Sequence, residues 1–458
     1  MIVILGAGLA GLSTAYHLQR GGCRAWALYE REHRPGGLCR SESRDGFTFD
    51  HTGHFLHLRA PAMKRLTARW LGRELADVLR SSWIFSQGVY TRYPFQTNTY
   101  GLPVETVKEI LLGYIQAQYQ KVEVPKEPVN DEGLAEPRES FEQWIYETFG
   151  PGIARHFMIP YNDKLWGVHP RFLTTEWLGR YVPPAPIEQV IEGALTDKTA
   201  AVGYNAYFRY PRRGGIETLV RALARRVGPI RLGREASRID LRRRRVGFAD
   251  GSSADYGALV STLPLPELVA RLDPVPDRVR EAAAKLRWSS LFAINLGLRR
   301  DLTEGRHWAY VPERRFSFYR VGCFSNAARS MAPRGQAAVW AEVSYNPRRP
   351  LDRARARRQA VEGLREMGFL RSRRDIAVEW LLEIPYAYVT YDADYRKATR
   401  TIHRWLGRHR ICSIGRYGRW EYSSMEDALL EGRATARRLL EEDQGSWKVM
   451  GQARVEKT

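Results

Sequence analysis

The first eleven residues carry the feature that most constrains how this chain can fold. Residues 2–5 read I-V-I-L, a short apolar strand, and residues 6–11 read G-A-G-L-A-G, a G-x-G-x-x-G turn that opens a helical stretch through Leu18. In such a turn the first glycine allows the bend, the second lets a pyrophosphate approach the backbone, and the third lets helix and strand pack closely. Glu30 ends a second apolar strand, residues 26–29, about 20 residues further on, where an acid can bind a ribose. The spacing predicts a dinucleotide site; the alternative is a glycine-rich turn in an unrelated βαβ unit.

A second glycine-containing stretch follows that acid. Residues 35–41 read P-G-G-L-C-R-S, and residues 46–54 read G-F-T-F-D-H-T-G-H. Both stretches resemble the second glycine signature of the superfamily of amine oxidases, protoporphyrinogen oxidases and UDP-galactopyranose mutases. In that superfamily a G-G-x-x-x-S loop runs beside the flavin, and a D-x-G-x-H segment reaches its isoalloxazine ring. The resemblance implies that the dinucleotide is FAD.

Composition argues against several other classes of protein. The chain of 458 residues has no run of 18 apolar residues, so no membrane-spanning helix is expected. No charged segment precedes the first apolar residues, which argues against a secretory signal. The cysteines Cys23, Cys39, Cys323 and Cys412 are scattered, so neither a disulfide framework nor a zinc or other metal site is expected. A cytoplasmic location is predicted.

The chain is strongly basic, with a formal net charge of +21. The excess is mostly arginine and is spread along the chain. Its densest runs, residues 242–245 and 353–358, are predicted to be solvated turns and helix faces. No nucleic-acid-binding motif accompanies them, so nucleic acid is not an expected partner. An anionic small-molecule substrate fits the charge better.

The predicted fold class is α/β, with a discontinuous Rossmann-type FAD-binding domain. Its pieces are residues 1–60, 205–265 and 405–442. Residues 61–204 are predicted to form a mainly helical substrate or lid domain, because their apolar spacing is helical. Residues 266–404 contain alternating runs that indicate an antiparallel-sheet substrate domain. Residues 443–458 are predicted to be a flexible tail.

Polar and aromatic residues recur in four clusters further along the chain. They lie at residues 158–167, 203–211 and 318–320, and at Tyr386 together with residues 415–422. Arginine forms bidentate, charge-assisted hydrogen bonds and tyrosine carries a donor on a rigid ring, so both suit a diphosphate. A single buried tyrosine is more often a core residue with a satisfied hydroxyl.

The order of these clusters resembles that of the UDP-galactopyranose mutases, especially the eukaryotic type. That family carries P-Y-N-x-K-x-W, P-N-A-x-F-R-x-P-x-x-G-G, F-Y-R, a tyrosine before a P-T pair, and G-R-x-G-x-W-x-Y. The counterparts here occur in the same order, at residues 160–166, 204–215, 318–320, 386–390 and 415–422. Several motifs in one order are more specific than any single one.

The glycine turn and the resemblance together imply roles for individual residues. The residues expected to bind FAD are Gly6, Gly8, Gly11, Glu30, Gly37, Leu38, Ser41, Gly53, Gly415 and Arg416. Those implied for the substrate are Tyr93 and Gln96 at the uracil, Asn162 and Trp166 around the sugar and uridine, Asn205 at the sugar or diphosphate, and Tyr310, Arg320, Tyr386 and Tyr422 at the diphosphate. His54 and Arg320 are the implied catalytic residues, His54 beside the flavin and Arg320 at the departing phosphate.

The resemblance implies an isomerase that acts on a UDP-sugar. In that family N5 of the reduced flavin attacks the anomeric carbon, UDP leaves, and the sugar recloses as a pyranose or a furanose. NAD(P)H is a candidate reductant.

Two departures from the mutase pattern keep a second hypothesis open. The family's W-L-G-x-R-V reads W-L-G-R-Y-V at residues 177–182, so Arg180 comes one position early and Tyr181 takes the arginine's place. The family's N-Q-D-H-S-F run, which helps to bind the sugar, is replaced by S-S-M-E-D-A at residues 423–428. The alternative is an FAD-dependent oxidoreductase of the protoporphyrinogen or amine oxidase type that oxidises a small organic substrate. A flavin-binding protein without catalytic activity is the third reading.

Overall fold

The computed structural model describes residues 1–125, 129, 133–179, 182, 184–197 and 206–442. Three residues singled out above, Asn205, Arg180 and Tyr181, lie outside the described residues. The predicted tail at 443–458 lies outside them as well.

The secondary structure is mixed throughout the described residues. The strands are β1 (Ile2–Leu5), β2 (Trp26–Tyr29), β3 (Ser41–Arg44), β4 (Phe47–Asp50), β5 (Leu75–Leu79), β6 (Ser82–Ser86), β7 (Val89–Arg92), β8 (Tyr207–Pro211), β9 (Ile230–Arg231), β10 (Ala236–Asp240), β11 (Arg245–Phe248), β12 (Ser253–Asp255), β13 (Ala258–Ser261), β14 (Leu272–Asp273), β15 (Trp288–Leu298), β16 (Trp308–Tyr310), β17 (Arg320–Cys323), β18 (Ala337–Tyr345), β19 (Ile376–Val389) and β20 (Ile411–Ser413). The helices are α1 (Leu9–Arg20), α2 (Pro61–Leu71), α3 (Val104–Tyr119), α4 (Phe141–Ile153), α5 (Ile159–Trp166), α6 (Ile187–Leu195), α7 (Glu217–Ala224), α8 (Leu265–Arg271), α9 (Asp277–Ala284), α10 (Phe324–Ala327), α11 (Arg353–Glu366), α12 (Tyr395–Arg408), α13 (Gly415–Gly418) and α14 (Met425–Glu442).

A parallel five-stranded sheet joins the two ends of the chain. Its strand order is β20-β13-β1-β2-β9, and every neighbouring pair is parallel. Side chains of a strand alternate between its faces. Accordingly Val3 and Leu5 pack with the small sheet β12-β11-β10-β14, while Ile4 packs with α1 and α14. The parallel sheet is therefore a layer between helices and a second sheet.

Helices α1 and α14 pack closely because small residues face each other. A Cβ added to Gly432 would lie 2.5 Å from the carbonyl oxygen of Ala10. The Ser13 hydroxyl donates a hydrogen bond to the carbonyl oxygen of Leu429 at 2.6 Å. This packing holds the C-terminal segment against the glycine turn.

A seven-stranded sheet with the order β19-β15-β18-β17-β16-β6-β7 forms the second large unit. Its pairs are antiparallel except for β16 and β6, which run parallel. Phe292, Ile294 and Leu296 of β15 face a core shared with α11. Leu291, on the opposite face, lines a cavity between this sheet and the parallel one.

The predicted fold class is confirmed, since a parallel sheet, inserted helices and a mainly antiparallel sheet are all present. The segment predicted to be mainly helical also supplies β6 and β7 to the seven-stranded sheet. The domain boundaries themselves stay a prediction. Within the described residues, no helix combines the length and apolar character that crossing a membrane requires.

Candidate active site

The glycine turn and Glu30 form one end of the cavity. Gly6 adopts a φ of +97°, a conformation that favours glycine. The backbone N–H of Ala7 donates to Oε2 of Glu30 at 2.7 Å, so the acid fixes the turn. A Cβ on Gly37 would lie 3.4 Å from Cα of Gly8, and bare backbone therefore faces bare backbone. Such a cradle fits a pyrophosphate.

The cavity connects this cradle with the seven-stranded sheet and has a volume of about 550 Å³. The predicted site residues in its wall are Gly6, Gly8, Glu30, Gly37, Leu38, Gly53, His54, Arg320, Tyr386, Gly415, Arg416 and Tyr422. Residues from the start, middle and end of the chain thus meet around one space. Its glycine cradle and acidic strand end would fit the pyrophosphate and the adenosine ribose of FAD.

Two other predicted cofactor residues support the wall without lining it. A Cβ on Gly11 would lie 1.9 Å from the carbonyl oxygen of Gly6, so α1 can approach the turn only with glycine there. The Ser41 hydroxyl donates to Asp50 at 2.6 Å, and its N–H donates to Glu217 at 2.9 Å. Gly11 and Ser41 therefore hold the backbone around the cavity in place.

Gly415 and Arg416 close the cavity from the C-terminal side. The N–H of Gly415 donates to Oε2 of Glu431 at 2.7 Å. Arg416 donates to two backbone carbonyls, including that of Ser423 at 2.8 Å, and its guanidinium lies 4.7 Å from the ring centroid of Tyr422. Arg416 has no carboxylate partner in the part of the chain that the structure describes. It therefore presents a positive charge to the cavity.

His54 occupies the turn after β4, in the cavity wall. Its Nδ1 lies 2.9 Å from Oγ1 of Thr52. Burial lowers the pKa of His54 to about 4, and the neighbouring charges of Arg416 and Arg320 also lower it. The imidazole is consequently neutral at pH 7, and it offers a hydrogen-bonding group to the cavity without a charge.

The free energy of unfolding should therefore depend on pH through His54. An imidazole in the unfolded chain takes up a proton near pH 6.5, whereas folded His54 stays neutral down to about pH 4. Between these values the unfolded state binds the extra proton, so stability falls by about 1.4 kcal/mol for each unit of acidification. In urea titrations between about pH 7 and pH 5, His54→Asn should lose about 2 kcal/mol less than the wild type. Equal losses in both proteins would show that His54 is protonated in the folded state.

Arg320 and Glu342 face each other on the neighbouring strands β17 and β18. Nε and Nη2 of Arg320 donate to the two carboxylate oxygens of Glu342 at 2.8 and 2.9 Å. Glu342 is completely buried. A bidentate pair of this kind fixes the guanidinium plane. Nη1 has no protein partner among the described residues, so it remains for a ligand.

Tyrosine rings gather beside Arg320, and we call them the tyrosine cluster. Its members are Tyr93, Tyr161, Tyr310, Tyr319, Tyr388 and Tyr422. The hydroxyl of Tyr319 donates to that of Tyr388 at 3.4 Å, and the rings of Tyr388 and Tyr422 stack at 6.0 Å. Tyr388 and Tyr422 line the cavity. The cluster therefore brings several hydroxyl donors close to one arginine.

Asn162 and Trp166 lie behind the tyrosine cluster. Nε1 of Trp166 donates to Oδ1 of Asn162 at 3.1 Å, and Nδ2 of Asn162 donates to the carbonyl oxygen of Met158 at 2.8 Å. The Trp166 ring lies 6.2 Å from that of Tyr422. Both residues are buried and use their polar atoms within α5 and the turn that precedes it. The structure thus places them as a support for Tyr422, outside the cavity lining.

Tyr93 and Gln96 belong to the segment that follows β7. The ring of Tyr93 lies 5.0 Å from that of Tyr310, which joins it to the tyrosine cluster. Gln96 lies three residues further on, in the helical turn Phe95–Thr97, and is outside the described lining of the cavity. The structure brings Tyr93 and Tyr310 together, whereas Gln96 is near Tyr93 along the chain and does not line the cavity.

Tyr388 and Glu342 were not predicted from the sequence. Tyr386, which was predicted to bind the diphosphate, packs against Trp288 at 4.9 Å, whereas Tyr388 joins the tyrosine cluster. Residues two apart on a strand share a face, so the sequence made Tyr386 and Tyr388 of β19 equally good candidates for contact with the diphosphate. Glu342 could have been found from the sequence, because it is the lone acid in an apolar strand. A buried carboxylate needs a partner, so such a residue indicates a paired cation nearby.

The cavity wall offers three kinds of chemistry. Arg320 and Arg416 can bind an anion, the tyrosine hydroxyls can donate hydrogen bonds to it, and neutral His54 can contact the cofactor. No group of three or more histidine, cysteine, aspartate or glutamate side chains suited to a metal ion occurs among the described residues.

Comparisons with known proteins place the chain in a family. Residues 9–440 match the family model described as flavin containing amine oxidoreductase. A solved structure of reduced UDP-galactopyranose mutase is similar, with 28% identity, a TM-score of 0.88, and coverage of 96% of this chain and 95% of that one. Cyclohexylamine oxidase from Brevibacterium oxydans IH-35A shares the fold at 16% identity, with a TM-score of 0.68 over 97% of this chain and 99% of that one. Because the family model matches most of the sequence, this chain belongs to the flavin containing amine oxidoreductases.

Proposed function

We propose that this flavin-dependent enzyme binds a UDP-sugar and interconverts its pyranose and furanose forms. The observation that carries the proposal is Arg320, held in place by Glu342 and bordered by the tyrosine cluster at the cofactor cavity. A cation with hydroxyl donors around it suits a diphosphate. The likeness to UDP-galactopyranose mutase over nearly the whole chain supports the same reading.

In this proposal the cofactor is FAD, bound by both glycine stretches and by the segment at Gly415. Gly8 and Gly37 face the pyrophosphate, and Glu30 accepts hydrogen bonds from the adenosine ribose with its remaining lone pairs. When bound and reduced, for which NAD(P)H is the proposed donor, the flavin supplies a nucleophilic nitrogen for the anomeric carbon of the sugar. Neutral His54 borders the flavin without adding a charge.

The protein's own part is to hold the diphosphate while the sugar changes its ring. Nη1 of Arg320 and the guanidinium of Arg416 balance the charge that develops on the departing UDP. The hydroxyls of Tyr388 and Tyr422 donate to the same phosphates. We assign Tyr388 this role in place of Tyr386, because Tyr388 is the one that lies with Arg320. Tyr93 and Tyr310 extend the binding surface toward the uracil.

The test is calorimetric titration of the dithionite-reduced protein with UDP, followed by chromatography of a UDP-pyranose incubated with it. We expect micromolar affinity for UDP, and furanose product that accumulates without proportional consumption of reductant. Tyr388→Phe should weaken UDP binding about tenfold, the value of one hydrogen bond to a charged group. Tyr386→Phe, the matched control on the same strand, should leave the affinity unchanged. A reduced protein that binds no UDP would refute the proposal.

One observation favours an FAD-dependent oxidoreductase as the second candidate function. Glu342 already neutralises Arg320, and Ser423, Ser424 and Met425 line the cavity where the mutases carry a sugar-binding run. This candidate predicts that a small organic substrate reduces the flavin under anaerobic conditions. Loss of the flavin absorbance near 450 nm after mixing would support it. A flavin that NAD(P)H reduces but no organic substrate does would count against it.

A further inference from the structure

Helix α12 carries a row of cations that the fold does not neutralise. Lys397, Arg400, Arg404 and Arg408 lie on its exposed side, three or four residues apart. Side chains at this spacing are neighbours, so like charges repel along the row. None of the four forms an ion pair with a described residue, whereas Arg396 before them pairs with Glu176 at 2.8 Å. The row therefore leaves four positive charges that no acid among the described residues neutralises.

A groove between α9 and α12 gathers these charges. Its volume is about 360 Å³. The charged residues in its wall are Arg278, Glu281, Lys285, Asp394, Lys397, Arg404 and Arg408. Asp394 already forms an ion pair with Lys285, whose Nζ lies 2.9 Å from Oδ1 of the aspartate. Among the described lining residues, Glu281 is thus the one acid without an ion pair. The cations without one are Arg278, Lys397, Arg404 and Arg408, so the groove is electropositive.

The arginine run at residues 242–245 extends this surface. His409 follows α12, and its pKa is lowered by burial and by the nearby charges of Arg244 and Arg408. The turn that carries Arg244 therefore lies beside the end of the row. We call the groove, the exposed row on α12 and this turn the basic face.

The other arginine-rich segment of the sequence differs in this respect. On α11 both Arg353 and Arg357 form bidentate pairs, with Glu383 and Glu379 respectively. Two of the four arginines at residues 353–358 are thus balanced within the fold, as Arg245 is by Asp255 in the turn beside α12, whereas the row on α12 has no acid partner among the described residues.

The basic face lacks the side chains that most macromolecular partners need. The exposed large apolar side chains of the described residues include none from α9 or α12. A docked protein needs buried apolar or aromatic anchors, and single-stranded nucleic acid needs aromatic rings for stacking. Clusters of four to eight lysines and arginines on a helix face attract anionic phospholipids by charge alone. We propose that the basic face binds the protein peripherally to a membrane surface that carries anionic phospholipid headgroups.

The test is sedimentation of the FAD-loaded protein with lipid vesicles at about 0.1 M salt, where charges separated by roughly 10 Å or less still interact. Vesicles of phosphatidylcholine with 30% phosphatidylglycerol should bind the protein, and vesicles of phosphatidylcholine alone should not. Each basic residue near such a surface contributes about a fivefold factor in affinity. Lys397→Gln/Arg404→Gln should therefore weaken binding about 25-fold.

The matched control is Arg355→Gln/Arg358→Gln on the exposed side of α11, which removes the same net charge elsewhere. It should change vesicle binding by less than threefold, and both double variants should keep the wild-type melting temperature and flavin content. Equal losses in the two variants would overturn the proposal, because only total charge would then matter. Absence of binding to the anionic vesicles would overturn it, as would tighter binding of duplex DNA or an acidic peptide through Lys397 and Arg404. Release of the vesicles by millimolar inorganic phosphate would overturn it too, by assigning the groove to a free anion.

Discussion

Arg320→Ala should weaken UDP binding to the reduced enzyme by about 100-fold. A hydrogen bond to a charged group contributes about 1.5–3 kcal/mol, and 1.4 kcal/mol corresponds to a tenfold change in affinity. The substitution also leaves the buried carboxylate of Glu342 without its cation, and an unpaired carboxylate repels an incoming diphosphate. Calorimetry with UDP measures the loss directly.

Three further variants separate the causes of that loss. Arg320→Lys keeps a charge opposite Glu342 but lacks the planar fork, so an intermediate loss of about tenfold is expected. Arg320→Ala/Glu342→Gln should bind UDP better than Arg320→Ala alone, because the repulsive carboxylate is gone. Arg299→Ala removes an exposed arginine just after β15 and should have no effect. An Arg320→Ala protein that is folded, loaded with flavin and binds UDP like the wild type would remove the basis of the proposed function.

Gly6→Ala should reduce the flavin content of the purified protein at least tenfold. The new Cβ would lie 2.1 Å from Oγ1 of Thr262, at a residue whose φ is +97°. The unfavourable φ costs about 1–2 kcal/mol, and the overlap adds about 1–3 kcal/mol. The turn must shift to relieve both, and Gly6 lies in the wall of the cavity that would hold the pyrophosphate. The ratio of absorbance near 450 nm to that at 280 nm reports the flavin content, and urea titration reports stability.

Gly22→Ala is the matched control for conformational strain. Gly22 has a φ of +84°, but a Cβ there would meet nothing within 4 Å. The Gly22→Ala substitution should therefore lower the free energy of unfolding by only about 1–2 kcal/mol and leave the flavin content unchanged. If Gly22→Ala lost flavin as Gly6→Ala does, general destabilisation would explain both results, and the close contact with Thr262 would not be the cause.

The features that the sequence predicts best are those with local physical causes. The strand at residues 26–29 was predicted with the bounds that β2 has, because a run of four apolar residues ends at an acid. The helix after the glycine turn was predicted for the same kind of reason, since only glycine suits the bend at Gly6 and the contact at Gly11. In both places, neighbouring residues alone determine the conformation.

Features that depend on distant partners were harder to predict. Strand β6 belongs to the seven-stranded sheet because Ser82 pairs with Trp308. No pattern in the sequence near residue 82 predicts a partner so far along the chain. Tyr388 and Tyr386 look alike in the sequence. An irregular register between β15 and β19, where Ser289 pairs with Tyr388 and Leu291 with Ile384, determines what each tyrosine contacts. Local patterns carry no record of such a register shift.

The packing of α14 on α1 has a consequence for the order of events during synthesis. The wall of the cofactor cavity includes Gly6 from the first strand and Gly415 from the last segment, and it is held together through Ser13 and Leu429. A growing chain therefore carries an incomplete cofactor pocket until the residues of α14 have left the ribosome. The cofactor is then expected to bind only after α14 has been synthesised. The absorbance of the bound flavin should therefore identify the molecules in which α14 has packed on α1.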